Sequence, residues 1–210
     1  ASRLQAGFAY PFRRESRAAL LWAMGQHESW KFRYWAAVFL AANGEVEKAR
    51  SMLSVIQNAD EDVFYLYRAS LEKGVARMKD LYTAKSLNPS WRVYRDLAAH
   101  WLEENDAEHM LRETTEGIAR HPQSNPLQMA HARALVNTRR FNEAVEYLET
   151  IHVLPSEHKD NAHAMWVDAW KGIEAEANER GDNATAELAR ARAAEYPENL
   201  GAGKPFSDED

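Results

Sequence analysis

The chain has 210 residues, enough for one ordinary domain or one repeat array. Its net charge of −6, from 26 Lys and Arg against 32 Asp and Glu, gives no support to a nucleic-acid footprint, and the absence of Cys excludes disulfides and thiolate metal sites. Hydrophobic residues at 45% and charged residues at 28%, with only 9 Gly and 7 Pro, fit a helix-rich protein with short turns, and no apolar run approaches the roughly 18 residues of a membrane span.

Residues 1–13 lack helical periodicity, and Pro11 holds Tyr10 extended. A first helix is predicted over 14–26, with Ala18, Leu21, Trp22 and Gly25 on its inner stripe. Ser29 is placed to cap a second helix running to 43 through Trp30, Tyr34, Ala37 and Leu40. Asn43-Gly44 turns the chain into a helix over 45–57, with Ala49, Leu53 and Ile56 inward. After a polar connection at 58–62, helices over 63–71 and 75–87 flank a turn at Glu72-Lys73-Gly74. A hairpin spans Trp91 to Pro122. Its first stripe is Tyr94, Leu97, Ala98 and Trp101, its break is Glu104-Asn105-Asp106, and its second stripe is Met110, Thr114, Gly117 and Ile118. Helices over 127–137 and 142–151 follow, then 157–180 and 184–195 around Gly181. The segment 196–210 reads as an extended Pro/Gly tail with an acidic end, so the helical domain is 14–195. No signal peptide is visible, which points to the cytoplasm. The start at Ala1 and the tail Ser207-Asp208-Glu209-Asp210 read as a domain excised from a longer protein.

Helix pairs with short turns and no strand pattern predict an all-α solenoid, because one amphipathic hairpin cannot bury its own apolar face. Ala76, Met110 and Ala144 hold equivalent places, since 110 − 76 and 144 − 110 are both 34. The flanks are irregular: 76 − 49 is 27 and 186 − 144 is 42. The central step is the tetratricopeptide period, and the residues Tyr94, Leu97, Ala98, Trp101, Met110, Thr114, Gly117 and Pro122 resemble that family. Met110 and Thr114 depart from its usual small and aromatic residues. The resemblance implies a right-handed α-α superhelix of about five such hairpins.

Tyr10-Pro11-Phe12-Arg13, the stretch from Trp30 to Tyr34, Leu154-Pro155 and the run YPENLGAGKP from Tyr196 to Pro205 are similar to the helical-repeat region of large bacterial proteins. Those proteins carry an upstream β-sandwich domain of unknown function with a galactose-mutarotase-like fold. The resemblance implies that any chemistry, loosely tied to carbohydrate metabolism, lies upstream of this segment.

Sites of chemistry are sparse. His158 and His163 are poorly spaced for one helix face, and His100 with Glu104 reads as a surface pair rather than a metal site. Glu103-Glu104 and Glu143 with Glu146 read as ordinary exposed positions. There is no HExxH, GxSxG, P-loop or GxGxxG, and Gly201-Ala202-Gly203-Lys204 lacks the context of a phosphate loop. No metal or cofactor is expected. Trp22, Trp35, Trp101 and Trp170 are expected to wedge between helices, whereas Trp30, Trp91 and Trp166 near helix starts are candidates for exposed anchors.

In the resembling repeats the first helix of each pair lines a concave face at its second, fifth, ninth and twelfth positions. Here that set is Lys31, Tyr34 and Val38; Arg92, Arg95 and Ala99; Met129, Arg133 and Val136. Arg92, Arg95 and Arg133 form a candidate basic strip for a carboxylate or acidic peptide, unless they pair with neighbouring acids. The set departs from the arrangement of chaperone-tail-binding repeats. The expectation is a non-enzymatic module that binds a partner protein, its own upstream domain or a second copy, but neither nucleic acid nor membrane. The alternative is an accessory domain completing the active site or oligomer of a carbohydrate-active enzyme.

Overall fold

A computed structural model describes residues 5–8, 13–153 and 161–201. These residues contain eleven α-helices, two short 3-10 turns and no strand. The predicted Tyr10-Pro11-Phe12, Leu154-Pro155, helix start at 157–160 and tail end at 202–210 lie outside the described residues.

The chain divides into two compact units, 1–96 and 97–210. The first holds α1 (Arg14–Gln26), α2 (Trp30–Ala42), α3 (Val46–Ser54), α4 (Asp62–Leu71), α5 (Gly74–Leu87) and the first half of α6 (Trp91–Glu103). The second holds the rest of α6, then α7 (Ala107–Arg120), α8 (Asn125–Asn137), α9 (Phe141–Thr150), α10 (Ala162–Glu179) and α11 (Asn183–Ala193). In the first unit α1 to α5 each pack on the next along the chain, apart from a weaker α3–α4 contact. In the second unit α7 packs on α8, α8 on both α9 and α10, and α10 on α9 and α11.

Apolar periodicity explains most of this. The core of the first unit is built on Tyr34, Trp35, Ala37, Leu53 and Phe64. Rings of α2 and α4 meet edge to face, with Tyr34 5.6 Å from Tyr67 and Trp30 5.6 Å from Phe64. The buried Asp80 of α5 accepts two hydrogen bonds from Arg68 of α4, at 2.7 and 2.6 Å. The second core centres on Ala132, Ala144, Leu148, Trp166 and Ala169.

Four helix connections fold alike. Gly44, Asn105, Arg139 and Gly181 take positive φ of 84°, 57°, 58° and 72°. In each the following N–H reaches back to a carbonyl five residues earlier at 2.9 Å: Glu45 to Leu40, Asp106 to Trp101, Arg140 to Leu135, Asp182 to Ala177. That bond with a left-handed residue is the Schellman closure. Asp106 and Asp182 also cap the next helix, accepting from His109 N–H and Thr185 N–H. Four residues past each capping position comes a buried side chain: Ala49, Met110, Ala144 and Ala186.

The α4–α5 connection is different, and it corrects the register placed on Ala76. Glu72 and Lys73 are extended there, the positive φ of 53° falls on Gly74 at the first position of α5, and Ala76 is exposed. The buried set of α5 is Asp80, Leu81 and Ala84, matching Met110, Leu111 and Thr114 of α7 at a step of 30 (110 − 80). The step from α7 to Ala144, Val145 and Leu148 of α9 is 34 (144 − 110).

Other differences are local. α1 buries Leu20, one residue away from the expected stripe, leaving Leu21 half-exposed and Trp22 68% exposed. Ser29 occupies the N-cap of α2 without a side-chain cap bond. The segment 196–201 is docked rather than simply extended. Glu198–Leu200 forms a 3-10 turn, Leu200 is buried, and Asn199 Nδ2 donates to Leu148 O at 2.9 Å and Ile151 O at 2.7 Å. Those carbonyls at the end of α9 lack helical partners of their own. Tyr196 stacks on His163 at 4.3 Å.

Candidate functional site

The predicted groove residues divide by environment. In the first unit, Lys31 is mostly buried, its ammonium 2.5 Å from Glu61 Oε1, while Glu61 Oε2 accepts Ala6 N–H at 2.7 Å. Lys31 therefore takes part in holding the N-terminal turn. Tyr34 is 1% exposed and belongs to the ring cluster, so it presents nothing to a groove. α2 is apolar on nearly all sides, and the fifth position of the template falls on its core face. Arg92 and Arg95 are exposed and fold over Trp91, their guanidinium carbons 4.7 and 5.3 Å from its ring. Arg95 also donates to Asp96 at 2.7 Å. Trp91 with Arg92 and Arg95 is a compact cationic patch on one helix.

In the second unit, Met129 and Val136 are partly buried against the core. Arg133 is paired with Asp168 of α10 at 2.9 Å. Pairing with neighbouring acids thus accounts for Lys31, Arg95 and Arg133 at least in part.

The other candidates resolve as follows. His100 is buried rather than one half of a surface pair. His158 and Asp160 lie outside the described residues. Among the described residues no group of three or more His, Asp or Glu is arranged to hold a metal ion. Trp35 is buried as expected, its indole N–H donating to Ala6 O at 3.0 Å. Trp166 is buried rather than an exposed anchor, and Trp22 is exposed rather than a wedge.

A cleft of about 550 Å³ opens in the second unit between α7, α8 and α9. Leu111 and Leu135 form its apolar floor. Thr115, His131, Arg140, Glu143, Glu146, Tyr147 and Thr150 supply the polar wall. Glu143 and Glu146 read from the sequence as surface residues, and nothing in the spacing singles out His131 or Tyr147. The available signal was a lone His within the Ala- and Leu-rich stripe of α8.

Thr114 Oγ1 lies 3.0 Å from Met110 O, 3.1 Å from Leu111 O and 3.1 Å from His131 Nδ1, so one buried hydroxyl ties the ring of α8 to the backbone of α7. Burial pushes the His131 pKa below the usual 6.5, and Arg140 adds to this against an opposing pull from Glu143. The ring is thus neutral at neutral pH. Tyr147 meets it edge-on at 4.8 Å, and burial pushes its phenol up to about 12. Arg140 Nε donates to Glu143 at 2.8 Å, leaving Glu146 as the carboxylate of the cleft without an ion-pair partner among the described residues.

The chain matches no family model, no curated protein and no solved structure.

Proposed function

We propose that this chain is a helical-repeat interaction module, a right-handed α-α superhelix of about five tetratricopeptide-like hairpins. It binds a partner protein, or an upstream domain of its own chain, through side chains of its first-of-pair helices. The observation that carries this reading is the recurrence of one Schellman turn at Gly44, Asn105, Arg139 and Gly181, each followed by a buried residue at the same offset. Hairpins built to one template present similar faces at regular intervals, the property that repeat proteins use for extended recognition. The contact residues assigned here are Arg92 and Arg95 on Trp91, whose planar guanidinium groups suit a partner carboxylate. Tyr34 is buried in the ring cluster and Arg133 pairs with Asp168.

A photo-crosslinking residue at position 92 identifies the partner. The double variant Arg92→Ala/Arg95→Ala is then expected to weaken capture of that same partner while far-UV circular dichroism stays unchanged. Undiminished capture by a folded double variant would overturn the assignment.

A further inference from the structure

We propose that the outer face of α1 is a contact surface for a second copy of this chain, the two α1 helices packing antiparallel about a two-fold axis. This goes beyond the reading of the chain as a partner-binding module and involves none of Trp91, Arg92 and Arg95.

The face is apolar where water would favour polar side chains. Leu20 turns to the core of the first unit, with Ala23 and Met24 partly buried beside it. Ala18, Leu21, Trp22 and Gly25 are nonetheless exposed, and their spacing sets them on one stripe opposite the core. Trp22 is 68% exposed and Leu21 50%. A helix that is apolar on all sides is a helix with neighbours on all sides.

Gly25 indicates how close that neighbour comes. It lies in α1 without a positive φ, and a Cβ there would meet no atom within 4 Å, so nothing around it requires glycine. Gly172 of α10 is different, because the Phe141 ring already fills the place of its Cβ. A close approach is the usual reason for glycine inside a helix, and at Gly25 the second copy supplies it. With the axis midway between Leu21 and Trp22, Gly25 lies as far past it as Ala18 lies before it. Gly25 of each copy then faces Ala18 of the other, small residue on small residue. Trp22 meets Trp22 across the axis on one side, and Leu21 meets Leu21 on the other, the self-complementarity that an isologous contact needs.

The ends of α1 are complementary as well. Arg13 and Arg17 outnumber Glu15 at the N-terminal end, whereas the last turn has no basic residue and Glu28 follows it. That order opposes the macrodipole of the helix itself. Arg17 and Glu28 are both exposed, and neither forms an ion pair among the described residues, although Arg17 helps to lower the Glu45 pKa through space. Antiparallel packing sets Arg17 of each copy beside Glu28 and the last turn of the other, twice over. Glu15, on the opposite flank from Arg17, falls beside the neutral Gln26. A parallel pair or an unrelated occupant gives no reason for Arg17 and Glu28 to match. With 13 residues α1 is only about 20 Å long, so the contact belongs to the small, transient class.

Sedimentation equilibrium of the intact chain between about 10 and 500 µM is expected to show the mass rising from 24.0 kDa toward twice that value. Trp22→Ala, at an exposed position, is expected to abolish the rise while the thermal midpoint stays unchanged. Gly25→Gln is expected to weaken association at least about fivefold without lowering the midpoint, since its side chain enters open space. Charge exchange reports the orientation. Arg17→Glu and Glu28→Arg are each expected to weaken association by about three- to tenfold, and the double variant to restore it. A mass fixed at 24.0 kDa across the range would overturn the proposal and assign the face to another occupant. Parent-like association of Trp22→Ala, or a double variant no tighter than the two single ones, would overturn it too. None of these outcomes bears on capture through Arg92 and Arg95.

Discussion

The Arg68 guanidinium sets both Nε and Nη2 on the carboxylate of Asp80, at 2.7 and 2.6 Å, and lies 4.9 Å above the Phe64 ring. The Asp80 hydrogen bond, outweighing desolvation, raises the Arg68 pKa above its usual value. Asp80 is 4% exposed, so this pair locks α4 to α5 from inside the core. Removing one partner leaves an uncompensated charge in a dry place. Asp80→Ala is expected to cost about 3 kcal/mol in urea unfolding, and Arg68→Leu/Asp80→Leu together to cost far less than Asp80→Ala alone. A double variant no more stable than Asp80→Ala would show that the pair is incidental.

Arg139 is the one long side chain among the four left-handed turn residues. An L residue pays about 1–2 kcal/mol for that conformation, and the exposed Arg139–Glu176 contact at 3.5 Å returns less than about 1 kcal/mol. Arg139→Gly is therefore expected to stabilise the chain by roughly 0.5–1 kcal/mol. Gly181→Ala, where φ is 72° and no neighbouring atom would touch the new methyl, is expected to lose about 1 kcal/mol on conformation alone. Thermal melts of the two single variants check both signs.

Gly172 sits inside α10, where Ala would ordinarily gain about 1 kcal/mol of helix propensity. Here a Cβ would come within 2.5 Å of the Phe141 ring. The clash outweighs the propensity, and Gly172→Ala is expected to destabilise by about 1–3 kcal/mol. Adding Phe141→Leu, which shortens the opposing ring, is expected to recover part of the loss. Denaturant midpoints of the single and double variants decide it.

The His131 cleft also predicts a pH response. The folded pKa lies below the usual 6.5, so the unfolded chain binds more protons as the solution is acidified. Stability from this site is present above pH 6.5 and is lost as pH falls through the lower folded pKa. Arg140 deepens the depression, Glu143 opposes it, and Glu146 and Tyr147 complete the titratable groups of the wall. Tyr147 acts at the other end. Its raised pKa of about 12, against 10.0 for an exposed phenol, means that stability is lost as pH rises from 10 through that value. Unfolding midpoints measured from pH 7 down to 5 are expected to fall less steeply in His131→Gln than in the parent.

Local punctuation made much of the helix order readable. Asn43-Gly44 and Gly181 announce left-handed turns because glycine adopts positive φ without strain. The sequence places a turn at Arg139-Arg140-Phe141, but a long side chain does not announce the left-handed conformation that Arg139 takes 34 residues after Asn105. α1 carries a near-continuous apolar run from Ala18 to Met24, so adjacent stripes fit equally well and the buried face slipped by one residue to Leu20. The ion pairs were hidden for a different reason. Lys31 meets Glu61 30 residues away and Arg133 meets Asp168 35 residues away, separations set by packing rather than by helical spacing. The His131 cleft takes its wall from three helices, and no single stretch of sequence contains it.

Asn199 closes a ring in the chain. Its side chain returns to Leu148 and Ile151 across 51 and 48 positions, while the Schellman turns bond residues five apart. Loop-closure entropy rises with separation, so the hairpins of the second unit form first and this clasp forms late. During synthesis the end of α9 emerges from the ribosome long before the residue that caps it. Until Asn199 arrives, the carbonyls of Leu148 and Ile151 are satisfied by water, and the slot for Leu200 stands open. The packed segment therefore reaches at least to Leu200, past the last long helix, and a truncation at 195 is expected to remove this clasp.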